Sequence, residues 1–142
     1  MTLLEKQNVR ILDEAEDWKA AIRLSVMPLE EQGYVESRYK EEIISNVVAM
    51  GPYIVLAPYV ALPHARPEQG VIKSQIAVTL FKNEVFFENK STSAKLFIVL
   101  AAADNNSHLD ALVSITEILQ DEAKVGEILK AEDAETLYHY FN

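Results

Sequence analysis

Apolar residues recur at helical spacing through Trp18, Ile22, Val26 and Leu29, so the sequence predicts a helix from Asp13 to Glu31. Pro28 falls inside that pattern, where a proline is expected to end or kink the helix. Gly33 closes the segment. Ser37 is the expected N-cap of a second helix reaching about Met50, with Tyr39, Ile43, Val47 and Met50 as its apolar stripe and Gly51-Pro52 as its stop. Short apolar runs follow at Tyr53 to Ala57 and Tyr59 to Leu62, read as strands joined around Pro58. Gln75 to Phe81 alternates as a strand should, with Ile76, Val78 and Leu80 on one face. A turn is expected at Asn83-Glu84, then a short strand at Val85 to Phe87 and a polar loop from Glu88 to Ser93.

Leu96 to Ala102 is almost continuously apolar, the pattern of a central strand covered on both faces. After the polar break Asp104 to Asn106, a helix is expected from Ser107 to Gln120, with Ser107 and Asp110 as a capping-box-like start and Leu112, Ile115 and Leu119 inward. Two short helices complete the chain, Asp121 to Lys130 and Asp133 to Phe141. Helices, then strands, then helices, without repeats or linkers, predict one α/β (α+β) domain over residues 1–142: a mixed parallel and antiparallel sheet flanked by helices.

The unusual chemistry is concentrated from Ala57 to Pro67. Three prolines fall within ten residues, and His64 and Arg66 sit between the last two. Proline fixes its own φ and pushes its predecessor towards an extended shape, so His64 leaves a short strand in a restrained direction. A reactive imidazole needs such a mount, since a misplacement of about 1 Å can cost on the order of a hundredfold in rate. The plainer reading is a loop histidine beside a proline turn.

His108 begins a helix directly after the Leu96 to Ala102 strand. If the two strands are neighbours, both histidines emerge at one edge of the sheet, where open α/β sheets carry their sites. The helix start favours a bound anion, and a phosphoryl group there could draw charge from Arg66 and a hydrogen bond from His108. His139, between Tyr138 and Tyr140, is read as structural or exposed. A metal site would have to recruit Asp104 or Asp110, and no ligand spacing demands one. There is no nucleophile elbow and no glycine-rich phosphate loop.

Composition narrows the partners. With 13 basic and 22 acidic side chains the formal charge is −9, which opposes nucleic acid and anionic lipid and would steer in a partner with a basic face. The absence of cysteine rules out disulfides and thiolate metal sites and fits a cytoplasmic protein. Met1 to Arg10 is too polar for a signal peptide, and no apolar run is long enough to span a bilayer.

Taken together, Gly51-Pro52-Tyr53-Ile54-Val55-Leu56-Ala57-Pro58, Ala61-Leu62-Pro63-His64-Ala65-Arg66-Pro67-Glu68-Gln69-Gly70-Val71 and Asn105-Asn106-Ser107-His108 resemble the two histidine segments of the mannitol/fructose-type EIIA domains of the bacterial sugar phosphotransferase system. The resemblance covers nearly the whole chain and is strongest to the L-ascorbate branch. It implies that His64 is phosphorylated by the phosphocarrier HPr and that His108 assists. It also implies onward transfer to a cysteine of the cognate EIIB, and to the sugar at the membrane component EIIC, with no cofactor and no metal. A homodimer is compatible with the sequence. The alternatives are a nitrogen-type regulatory module that acts by docking, an EIIA for galactitol, mannitol or fructose, and a metal-dependent hydrolase built on His64, His108 and Asp104. Relatives commonly carry an arginine near the end of the helix before the site. Here that end reads Ser45-Asn46-Val47-Val48-Ala49-Met50, so either Arg66 neutralises the phosphoryl charge or backbone N–H groups hold it.

Overall fold

The apolar run ending near Ala102 forms the middle of the molecule. In a computed structural model that describes residues 4–141, it lies in a five-stranded sheet with order β1-β4-β5-β3-β2. The strands are β1 Val9–Leu12, β2 Val55–Ala57, β3 Tyr59–Ala61, β4 Gln75–Phe86 and β5 Ser93–Ala101. The helices are α1 Trp18–Glu31, α2 Arg38–Met50, α3 Asn105–Leu119, α4 Glu122–Leu129 and α5 Ala134–Tyr140. β1 runs parallel to β4, and β3 runs parallel to β5. The β4–β5 and β2–β3 pairs are antiparallel, which makes the sheet mixed as expected.

The period-two alternation of strands sorts side chains to two cores. Ala77, Phe81, Phe97, Val99 and Ala101 face α1 and α2, where Trp18, Ile22, Val26, Leu29, Tyr39, Ile43 and Val47 meet them. Ile76, Val78, Leu80, Leu96, Ile98 and Leu100 face the other way, towards Ile115, Ile128, Leu137 and Phe141 on and beside α3, α4 and α5. Burial on both faces explains why β5 reads as an unbroken apolar run.

Several local expectations need correction. α1 begins at Trp18, not Asp13, because Asp17 caps it by accepting from the Ala20 N–H at 2.8 Å. The helix also runs through Pro28. Proline cannot donate to the carbonyl four residues back, and the freed Leu24 carbonyl instead accepts from the Arg10 guanidinium. Arg10 stands on β1, a strand that the polar N-terminal sequence does not reveal. Ser37 is at the N-cap of α2 but makes no capping bond through its side chain. Asn83-Glu84 is not a turn: β4 runs on through it, with the pairing to β5 slipping between Leu80 and Val85. Met50 leaves the buried stripe and is 64 % exposed. The side chain of Ser107, proposed as a cap, lies outside the described residues, and α3 starts two residues earlier.

The loop that follows His64 returns under α2 through a short 3₁₀ turn at Pro67–Gln69 and then Gly70, whose φ is +130°. A Cβ added at Gly70 would stand 3.3 Å from the Tyr39 Cβ, on a backbone that side-chain-bearing residues rarely adopt. Gly70→Ala is therefore expected to cost about 1–3 kcal/mol of stability. Urea denaturation measures it, and an unchanged midpoint would contradict the close approach.

Candidate functional site

β3 and β5 are adjacent and parallel, so the chain leaves both at the same edge of the sheet. Pro63 and His64 continue from β3, and α3 follows β5. The sheet effectively extends as far as Pro63, whose carbonyl accepts from the Leu100 N–H at 3.1 Å. The result is that the rings of His64 and His108, 44 residues apart in sequence, have centroids 6.1 Å apart at a tilt of 59°. They share an open cleft with Asn46, Met50, Tyr53, Arg66, Asp104 and Asn105. The structure thus brings together all three residues singled out from the sequence.

His64 is half-buried and fixed at its ring. Its Nδ1 lies 2.6 Å from the Leu62 carbonyl oxygen. A carbonyl only accepts, so Nδ1 carries the hydrogen and Nε2 keeps a free lone pair. The orienting carbonyl belongs to the residue two before the histidine, on the near side of Pro63. The ring edge of Tyr53 packs against the imidazole, with centroids 5.4 Å apart at 79°.

The backbone on the far side of His64 is held as tightly. The Tyr53 hydroxyl donates to the His64 carbonyl at 2.8 Å. The Tyr39 hydroxyl accepts from the Ala65 N–H at 3.1 Å and donates to the Leu100 carbonyl at 2.9 Å. The Gln69 side chain accepts from the Arg66 N–H at 2.9 Å. Two successive peptide groups are thus held by three side chains, the first by both tyrosines and the second by Gln69. Tyr39 is fully buried, and burial pushes its hydroxyl up to about 12, so it is a neutral donor and acceptor throughout the physiological range. Sequence reading placed Tyr39 only in the apolar stripe and took no notice of Asn46 or Gln69. A tyrosine on a buried stripe is itself a signal, since its hydroxyl needs a partner.

Burial pulls the His64 imidazole below the ordinary histidine value. The Leu62 carbonyl opposes this, and His108 adds a further push downward. The ring is therefore neutral at neutral pH. The sign for stability follows: the unfolded chain takes up this proton more readily than the folded one. The contribution is complete above the unfolded value of about 6.5 and is lost as pH falls through the lower folded value. In denaturation across pH 4 to 8, the stability of the parent relative to His64→Gln should fall as the pH drops below about 6.5. Parallel curves would refute the shift.

Arg66 is exposed at the mouth of the cleft, and no described carboxylate lies within ion-pair distance of its guanidinium. The first turn of α3 supplies Asn105 and His108 to the opposite wall. Among the described residues no three His, Asp or Glu side chains converge as a metal site, and no helix is long and apolar enough to cross a membrane.

The family model described as "Phosphoenolpyruvate-dependent sugar phosphotransferase system, EIIA 2" matches residues 2–142. The chain is 35 % identical over 132 residues to the mannitol-specific cryptic phosphotransferase enzyme IIA component of Escherichia coli, covering 93 % of this chain and 90 % of that one. It is 37 % identical over 123 residues to the ascorbate-specific PTS system EIIA component of the same species, covering 85 % and 80 %. The solution structure of the mannitol-specific cryptic enzyme IIA of Escherichia coli superposes with a TM-score of 0.92 at 33 % identity, covering 98 % and 95 %. On sequence and fold together, the chain belongs to the EIIA type 2 family of the phosphoenolpyruvate-dependent sugar phosphotransferase system.

Proposed function

We propose that His64 is the phosphoryl acceptor of this EIIA component, that phosphorylated HPr is its donor, and that a cysteine of the cognate EIIB receives the group. The observation that carries this reading is the Nδ1 contact to the Leu62 carbonyl, which leaves Nε2 as the nitrogen facing the cleft it shares with His108. The Nε2 lone pair forms a bond to phosphorus as the N–P bond of the donor histidine breaks, and the donor imidazole leaves with that electron pair. The Nδ1 hydrogen stays in place, so the phosphorylated ring is cationic and the Leu62 carbonyl faces the new charge. On transfer, the EIIB thiolate attacks phosphorus and the Nε2–P bond returns its electrons to a neutral His64. Neither step needs a metal or nucleotide, because each donor already holds an activated phosphoryl group. What the protein supplies is alignment and a place for negative charge on the equatorial oxygens. His108, Arg66 and the first turn of α3 serve that charge.

The sugar proposed is L-ascorbate, on the Gly51-Pro52-Tyr53 and Arg66-Pro67-Glu68-Gln69-Gly70-Val71 flanks. The contact surface for HPr and EIIB is formed by exposed apolar residues around the cleft: Met50 on one side, with Leu109 and Val113 one helical turn apart on α3 on the other. Tyr59 and Val60, on the strand that leads to His64, do not fit this role. Val60 is fully buried. Tyr59 pairs with Ala94 at the opposite end of β5, roughly 16 Å along the strand from His64. The test is incubation with phosphorylated HPr, which should give an acid-labile, base-stable phosphohistidine, followed by addition of ascorbate or mannitol EIIB. Passage to the mannitol protein alone would reassign the sugar. Passage to no EIIB would favour the regulatory reading.

A further inference from the structure

The Gln69 side chain uses every hydrogen-bonding position it has. Oε1 accepts from the Arg66 N–H at 2.9 Å and from Asn46 Nδ2 at 3.1 Å. Nε2 donates to Glu42 Oε2 at 3.1 Å and lies 3.4 Å from Asn46 Oδ1. The orientation of this amide is fixed by its two ends: a backbone N–H can only donate, and the Glu42 carboxylate can only accept. Asn46 and Tyr53 line the same cleft, and the Tyr53 hydroxyl donates to the His64 carbonyl. A continuous hydrogen-bonded path therefore runs from Glu42 on α2, through Gln69, to the peptide group between Ala65 and Arg66. Gln69 itself touches neither imidazole.

We propose that Gln69 is a positioning residue for His64: held in one orientation by Glu42, it fixes the Arg66 peptide and the Asn46 amide, and so the direction and tautomer of the reactive ring. This rests on the reading of His64 as the phosphoryl acceptor. Loss of the path lets the segment after His64 drift, while the surface that meets the donor protein is untouched. The cost therefore falls on the transfer step and not on binding.

The test is a pair of substitutions. Gln69→Glu keeps the shape but turns the donor facing Glu42 into a like charge. The rate at saturating phosphorylated HPr should fall about 10- to 100-fold, with KM for the donor unchanged. Adding Glu42→Gln restores a donor–acceptor pair across the same gap, and the rate should recover most of that loss. Nitrogen NMR of the His64 ring provides an arm that needs no phosphoryl transfer. The parent should show a single tautomer protonated at Nδ1, Gln69→Glu a mixture, and the double variant the parent pattern. A parent-like ring spectrum in Gln69→Glu overturns the proposal, as does a double variant no better than the single one. If the parent takes up no label, the acceptor reading fails, and the ring spectra still decide whether Gln69 orients His64.

Discussion

His64→Ala should take up no phosphoryl group from phosphorylated HPr, with the rate falling by at least about 10⁴-fold, the scale seen when a catalytic nucleophile is deleted. Of the three histidines, His64 has a ring nitrogen held by a backbone carbonyl and its other nitrogen open to the cleft. Among the described residues the His108 ring has no hydrogen-bond acceptor to fix its tautomer, and His139 is exposed on α5 within 3.9 Å of Glu135. The substitution should leave the fold intact, because the ring lies at the open cleft beside Tyr53 and His108 and is not part of either buried core. The readout is acid-labile label after a fixed incubation, beside a circular dichroism spectrum matching the parent. Label retained in His64→Ala and lost in His108→Ala would exchange the roles of the two histidines.

The architecture was legible wherever one physical pattern dominated. β5 is apolar on both faces because cores lie on both faces, and α1 shows a clean stripe because a single face is buried. The failures have equally local causes. β1 is four residues long and carries Arg10, whose charge masks the strand pattern, although the guanidinium is spent on the carbonyl that Pro28 leaves without a donor. Asn83-Glu84 has turn chemistry, yet it extends a long strand whose partner simply slips register. Tertiary packing overrode propensity there. At the site, the proline-bounded histidine announced itself, and the second histidine could be placed beside it by topology. The supporting polar residues could not be found in this way. Asn46 and Gln69 are 23 positions apart and look like ordinary surface amides until the loop folds back under α2. Their role exists only in three dimensions.

That division bears on the missing arginine. The end of α2 offers an amide at Asn46 where a cation was expected, and that amide is engaged with Gln69. On the proposed reading, the groups left to meet a phosphoryl group are Arg66, His108 and the start of α3. Arg66 is exposed and unpaired among the described residues, so solvent and salt screen it. His108 is half-buried, its ring centroid 6.1 Å from that of His64, and set by the first turn of a 15-residue helix.

His108 should consequently matter more than Arg66. A donor preorganised against the developing charge of a transfer step is worth about 10²–10³ in rate, and His108→Ala should lose that much in transfer from phosphorylated HPr and to EIIB alike. Arg66→Ala should lose about tenfold, with a loss that shrinks as salt is raised, as expected of an exposed charge acting through water. A second signature separates a direct role for His108 from simple loosening of α3. Repulsion from His108 is one of the causes that hold the His64 imidazole below its ordinary value, so His108→Ala should move the His64 titration upward. In contrast, Arg66→Ala, which removes a cation from the mouth of the cleft, should lower transfer without disturbing the tautomer that the Leu62 carbonyl imposes. Proton NMR titration of the His64 ring reads both effects. A His64 titration that stays fixed in His108→Ala, together with a transfer rate within about threefold of the parent, well short of the loss expected for a preorganised donor, would mean that the two rings are neighbours without being partners.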